Sequence, residues 1–250
     1  MLFRSYFTQH FKKDGWAPDV AVGRAKREGL YQPDEMVCTA TLYNYIDDQL
    51  LEIRNINLTD KLRRRTHHKA LAKHKRTLGR SIDERPKSVE NRLEFGHYEL
   101  DTIVGKRNGQ ESVIMTFIER KSRFQIMRLI DGRDADSVNY AMRDIVSEYG
   151  STIKSVTADN GSEFADLNHV LKETAPVYYA HPYRSCERGT NEVHNRYVRR
   201  DFPSGQSLDL VSPRTVAAVE AKLNRLPRKL LNYQTTEEVF LIESNSALSH

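Results

Sequence analysis

The chain has 250 residues, 38% hydrophobic and 29% charged, with a formal net charge of +5, a composition that gives one or two domains a core of ordinary size and reads as a soluble globular protein. No apolar run approaches the roughly 18 residues of a membrane helix, and Met1-Leu2-Phe3-Arg4-Ser5-Tyr6 lacks the apolar stretch of a signal peptide, so the cytoplasm is the expected address and no membrane partner is expected. Cys38 and Cys186 are too few and too far apart for a disulfide framework or a Cys-rich zinc site, and read as free thiols.

Residues 1–59 read as mainly helical. Pro18 fits the first turn of a helix continuing through Val20 and Ala21, and Thr39 is a candidate N-cap for a second, in which Leu42, Tyr43 and Ile46 share a face. Two short helices across a connector from Gly29 to Pro33 are compatible with a helix-turn-helix, or with a helical pair that only packs on the rest. Residues 60–92 read as a basic linker: 12 Lys and Arg stand against 3 Asp and Glu between Lys61 and Arg92, whereas the rest of the chain has 27 against 31. Alone, such a run is a solvated connector. Beside a phosphodiester site it reads better as a phosphate tracker, with Arg63, Arg64, Arg65 and Lys69 as contacts, because Lys and Arg release counterions when they neutralise a polyanion. His67, His68 and His74 lie in this run without the Cys pair that a zinc site would carry.

From about Leu93 the pattern turns to strands. Tyr98–Val104, Ser112–Glu119 and Phe124–Ile130 predict an antiparallel meander, the first two runs separated by the turn-forming Asn108-Gly109. A helix follows over Ala135–Tyr149, with Val138, Ala141, Met142, Ile145 and Val146 at helical spacing; then a strand ending at Asp159, a helix around Phe164–Leu171, and a strand over Val177–Ala180. Tyr183–Thr190 reads as loop, and Asn191–Phe202 and Thr215–Leu231 as helices. This order is that of an α/β, ribonuclease-H-like fold, a mixed five-stranded sheet flanked by helices, occupying residues 93–250.

Three acids stand at telling places. Thr157-Ala158-Asp159-Asn160-Gly161-Ser162-Glu163-Phe164 ends an apolar run with a carboxylate, Asp101 sits inside a strand-like run, and Glu192 opens a helix. An Asp before Asn-Gly is commonly a turn residue, and Asp101 alone could face solvent at an edge. As an ordered set they suggest one metal site, since an acid within an apolar strand needs compensation and hard divalent ions take oxygen ligands. Two such ions would serve phosphodiester chemistry. Glu192, Asn195, Arg196 and Arg199 fall at helical spacing on one face, which could hold metal and phosphate together.

Gly96-His97-Tyr98-Glu99-Leu100-Asp101, Ala158-Asp159-Asn160-Gly161-Ser162-Glu163-Phe164 and Glu187-Arg188-Gly189-Thr190-Asn191-Glu192 resemble the catalytic motifs of bacterial transposases of the insertion-sequence-30 family. Asn195-Arg196-Tyr197-Val198-Arg199-Arg200-Asp201-Phe202-Pro203, Leu223-Asn224-Arg225-Leu226-Pro227-Arg228-Lys229 and Glu237-Glu238-Val239-Phe240 continue the likeness, which covers roughly 93–240. It implies an integrase-type core with Asp101, Asp159 and Glu192 as the catalytic and metal-binding triad, and Arg199 as a DNA contact. It also implies two Mg2+ ions, with Mn2+ as a substitute, and a dimer or other homo-oligomer on DNA.

Two departures stand out: family members usually begin with a further helix-turn-helix, whereas this chain starts close to Trp16-Ala17-Pro18-Asp19, and Cys186 stands where the family often has Trp. The expected function is therefore cleavage at the inverted repeats of an insertion element and joining to target DNA, in the bacterial cytoplasm at the nucleoid. A shortened, DNA-binding remnant or regulator is the second reading, and a nuclease of the same fold the third.

Overall fold

The structure, a computed structural model, describes residues 2–58, 78–106, 111–181 and 189–248. Two compact units emerge: Met1–Lys69 with Arg225–Thr236, and Ala70–Asn224 with Glu237–His250. No helix among the described residues is long and apolar enough to cross a membrane.

The first unit holds α1 (Phe3–Asp14), α2 (Pro18–Glu28) and α3 (Thr39–Asp47). As expected, Pro18 opens α2, where its missing N–H costs nothing. The N-cap of α3 is Cys38 rather than Thr39, which is the first helical residue. The helix α1 was not anticipated; its Phe3, Tyr6 and Phe7 close a core with Ala21, Ala25, Leu42 and Ile46. Gly29 ends α2 in the left-handed region at φ 61°, and the connector runs on to Cys38, longer than the turn of about 3–4 residues in a tight helix-turn-helix. Residues Arg225–Thr236 return to this unit with the short strands β7 (Pro227–Arg228) and β8 (Gln234–Thr235). Arg24 and Arg27 on α2 donate to the carbonyls of Tyr233 and Asn232 at 3.1 and 2.9 Å, holding two consecutive left-handed residues in place.

The second unit is built on a six-stranded sheet, in spatial order β1 (Arg80–Ser81), β6 (Val177–Tyr179), β5 (Ser155–Ala158), β2 (His97–Val104), β3 (Val113–Glu119), β4 (Gln125–Ile130). The strands β2, β3 and β4 pair antiparallel; β5 joins β2, β6 joins β5, and β1 joins β6 in parallel. Together with α4 (Ala135–Tyr149) between β4 and β5, and α5 (Leu167–Val170) between β5 and β6, this is the ribonuclease-H-like topology. One face packs Leu100, Met115 and Phe117 against Val138, Met142 and Ile145 of α4 and Leu167 of α5. Asp134 caps α4 by accepting the Ser137 N–H at 2.9 Å. The other face carries α6 (Gly189–Asp201) and α7 (Pro213–Asn224), and the chain closes with α8 (Thr236–Leu248).

Several expectations shift. The sheet has six strands rather than five, because Arg80–Ser81, within the expected basic linker, adds an edge strand to β6. Arg85 of the same run is buried and donates to Thr157 Oγ1 at 3.0 Å, so its charge serves the fold rather than a polyanion. The expected helix Phe164–Leu171 shrinks to a 3-10 turn, Ser162–Phe164, and the one-turn α5. The expected helix Thr215–Leu231 starts at Pro213 but stops at Asn224: Pro227 disfavours helical backbone at Leu226, and the chain passes into β7. The helix α8 was not anticipated. The Asn108-Gly109 turn lies outside the described residues, as do His67, His68, His74 and Cys186.

The outer edge of β4 is covered by α7, which removes a strand edge open to other chains. Asn224 accepts the Gln125 N–H at 3.0 Å and donates to its carbonyl at 2.7 Å, and Glu220 accepts the Met127 N–H. Burial raises the Glu220 carboxyl above its ordinary range, although the Met127 N–H and Arg128 pull the other way. A carboxyl raised in the fold contributes its stability in full below its ordinary value and loses it as pH climbs through the raised value. Glu220→Gln should therefore match the parent in acid and gain melting temperature on it as pH rises above the ordinary carboxyl value of about 4.3. A constant difference across that rise, measured by thermal denaturation, would contradict this reading.

Candidate active site

The alternation of β2 sets the site. Tyr98 turns to the α4 side, its ring stacked on Phe117 at 4.3 Å and its hydroxyl 2.7 Å from Thr152 Oγ1. Glu99 and Asp101 consequently lie on the opposite face, beneath α6. In the parallel pairing of β2 and β5, Glu99 stands opposite Thr157. Two residues further along each chain, Asp101 lies within β2 and Asp159 just past the end of the neighbouring β5. The strand itself ends at Ala158, so Asp159 is the first residue beyond it.

Each carboxylate is held by its neighbours. Asp101 accepts the Thr102 N–H at Oδ1 and Asn195 Nδ2 at Oδ2, both at 2.9 Å. Asp159 Oδ1 accepts the Gly161 N–H at 2.9 Å, while Asn160 Oδ1 accepts the Leu78 N–H, also at 2.9 Å. Gly161 lets these groups close in, since a Cβ there would sit 2.5 Å from Glu163 Oε2 and 2.8 Å from Asp159 Oδ1 and would displace one of those carboxylates. Glu163 is itself buried, accepting Arg133 Nε at 2.5 Å and the Thr102 hydroxyl at 3.3 Å.

The inner stripe of α6 faces the sheet. The Asn191 N–H donates to Glu99 Oε2 at 3.1 Å, His194 Nδ1 lies 3.1 Å from Gln125 Oε1, Asn195 reaches Asp101, and Val198 is fully buried. Glu192 occupies the first turn of this helix, three residues before Asn195; its side chain lies outside the description. Arg196, one turn on, is exposed. Arg199 is half-buried and lines a cavity of about 770 Å³ with Thr102, Lys106, Arg133 and Ser204. The structure thus brings together Asp101, Asp159 and the helix carrying Glu192, Arg196 and Arg199. Arg63, Arg64, Arg65 and Lys69 fall outside the described residues.

Among the described residues no group of three His, Cys, Asp or Glu side chains is placed to hold a metal ion. Asp101 and Asp159 nevertheless suit one in kind: carboxylate oxygens are hard donors, matching magnesium or manganese rather than a thiol-seeking metal.

Sequence reasoning missed the groups that support the acids. Glu99 was legible as the residue two before Asp101 on the same strand face, but no role was assigned to it. It is fully buried, and Arg120 Nε lies 3.3 Å from its Oε1. Burial pulls the Arg120 guanidinium down to about 10 despite Glu99, and burial does the same to Arg123, which donates to Thr190 Oγ1 at 3.0 Å. Even so lowered, both arginines are cations at neutral pH.

The chain is 38% identical over 202 residues to a probable transposase for the insertion-like sequence element IS1161 of Streptococcus salivarius, matching 81% of this chain and 58% of that protein. It is 32% identical over 244 residues to the transposase for insertion sequence element IS4351 of Bacteroides fragilis, matching 94% of this chain and 72% of that protein. Transposase InsI for insertion sequence element IS30C of Escherichia coli (strain K12) is 36% identical over 173 residues, 68% of this chain and 44% of that protein. The chain belongs to the insertion-sequence-30 family of transposases. It spans little more than half the length of the streptococcal family member and less than half that of the Escherichia coli one. No family profile matches it. Among solved structures, the catalytic core domain of BIV integrase aligns with a TM-score of 0.47 and 16% identity, over 60% of this chain and 97% of that one.

Proposed function

We propose that this chain is a DNA transposase that cleaves at the ends of an insertion element and joins the freed 3′-hydroxyl to target DNA. The observation that carries this reading is Asp101 held by Asn195 of the helix that also bears Glu192 and Arg199, with Asp159 just past the end of the neighbouring strand. Asp101, Asp159 and Glu192 would hold one or two divalent ions, magnesium or manganese, which when bound activate the attacking oxygen and stabilise the leaving one. The chain's own residues supply the rest. Asn195 orients the Asp101 carboxylate, the Gly161 N–H orients that of Asp159, and Arg199, with Arg196 outside it, offers charge to the phosphates flanking the scissile bond. Water attacks in cleavage, and the 3′-hydroxyl attacks in joining. The partners are double-stranded DNA of the terminal repeats and the target, with a second copy of the chain on that DNA, at the nucleoid.

The test is incubation of the chain with end-labelled duplex carrying the element's terminus and Mg2+. Release of a strand with a 3′-hydroxyl at the element boundary supports the proposal; binding without cleavage in either Mg2+ or Mn2+ would leave a DNA-binding regulator instead. The basic run gives a second expectation, namely steep salt dependence. For each of Arg63, Arg64 and Arg65 that touches a duplex phosphate, its replacement should flatten the slope of log affinity against log salt by about 0.9. An unchanged slope in the triple variant would assign the run to a solvated connector.

A further inference from the structure

The spacing of two hydrogen bonds between β2 and α6 points to a role for Glu99. On the strand, Glu99 and Asp101 lie two residues apart on one face, about 6.7 Å. On the helix, Asn191 and Asn195 lie four residues apart, about 6 Å along the axis. The bonds Asn191 N–H to Glu99 Oε2 (3.1 Å) and Asn195 Nδ2 to Asp101 Oδ2 (2.9 Å) therefore join strand and helix at two matched points, one helical turn apart. One point alone would leave the helix free to pivot; two fix its rotation and its slide along the strand. Glu192 falls between them in sequence.

We infer that Glu99 is a positioning residue, which with Asp101 clamps the start of α6 and so sets Glu192 against the two aspartates; this rests on the transposase reading of the site. The chemistry of Glu99 fits no solvent-facing role. It is completely buried, so its charge requires partners, and its two oxygens are divided between Arg120 at the end of β3 and the first turn of α6. A helix N-terminus presents amides without intrahelical acceptors and the positive end of the helix dipole, both of which a carboxylate satisfies. Among the described residues the side-chain Nδ2 and Oδ1 of Asn191 have no hydrogen-bond partner, so its polar hold on β2 is through the backbone N–H that Glu99 accepts.

The test compares Glu99→Ala and Glu99→Gln in the full chain by amide hydrogen exchange and by cleavage of element-end DNA. In Glu99→Ala the Asn191 amide should exchange about tenfold faster or more while the β2–β3 ladder keeps its protection. The maximal cleavage rate should fall about a hundredfold, with the KM for DNA within about threefold of the parent. Glu99→Gln, whose carbonyl still accepts the Asn191 N–H, should restore most of both. Unchanged exchange at Asn191, loss of protection throughout the sheet, or a Glu99→Gln variant as impaired as Glu99→Ala would each overturn the proposal. A parent that cleaves no DNA end refutes the transposase reading, and the exchange measurement still decides whether Glu99 holds the helix.

Discussion

Asp159→Asn is expected to lower both cleavage and joining by about a thousandfold or more, roughly 4 kcal/mol of transition-state stabilisation, without unfolding the protein. The substitution keeps the side chain's size and leaves a carbonyl oxygen to accept the Gly161 N–H, so the turn after β5 should survive. What it removes is the negative charge at the strand end, which is what a divalent ion would bind. Asp101→Asn should behave alike, since a neutral amide there can still meet Asn195. Activity of Asp159→Asn within about tenfold of the parent, with circular dichroism unchanged, would refute its role as a ligand.

The largest loss of stability is expected at Phe240, on a helix that the sequence did not announce. Its ring stacks on Phe124 at 4.2 Å and meets Phe95 at 5.3 Å and Tyr149 at 6.1 Å edge-on, tying α8 to the sheet and to α4. Removing a ring from such a cluster loses transfer energy and leaves a cavity that its three aromatic neighbours cannot close, so Phe240→Ala should cost about 3–5 kcal/mol. For a chain of this size that amounts to a fall in Tm of roughly 10 °C. A fall of less than about 2 °C would mean that α8 packs without contributing to the fold.

The elements legible in the sequence are those marked by a β-rich run or a clear helical period. The runs Tyr98–Val104, Ser112–Glu119 and Phe124–Ile130 and the helical spacing from Val138 to Val146 carry that signal, and β2, β3, β4 and α4 form within a residue or so of the expected limits. The misses have local causes. Arg80–Ser81 is too short for any period to show, and it is a strand because β6 offers an edge. The expected helix over Thr215–Leu231 overran because the effect of Pro227 on the residue before it was not weighed. The helix α8 is nearly as apolar outside as inside, with Leu241 and Ile242 exposed beside buried Phe240, so it carries no clear stripe. At the site, Asp101 and Asp159 were legible because an acid within an apolar strand, and one closing such a run, are unusual. Glu99, Glu163 and Arg133 were not, because what distinguishes them is whom they touch, and Glu163 to Arg133 spans a separation that no spacing rule covers.

The most direct measurement is joining of a pre-cut element end, bearing a free 3′-hydroxyl, to a plasmid target, with Mg2+ or with a chelator, for the parent and for Asp101→Asn. Because the end is already cut, the assay separates joining from first-strand cleavage. The account predicts joined product only from the parent and only with the divalent ion. Joining in the presence of chelator, or by Asp101→Asn at the parent's rate, would contradict it.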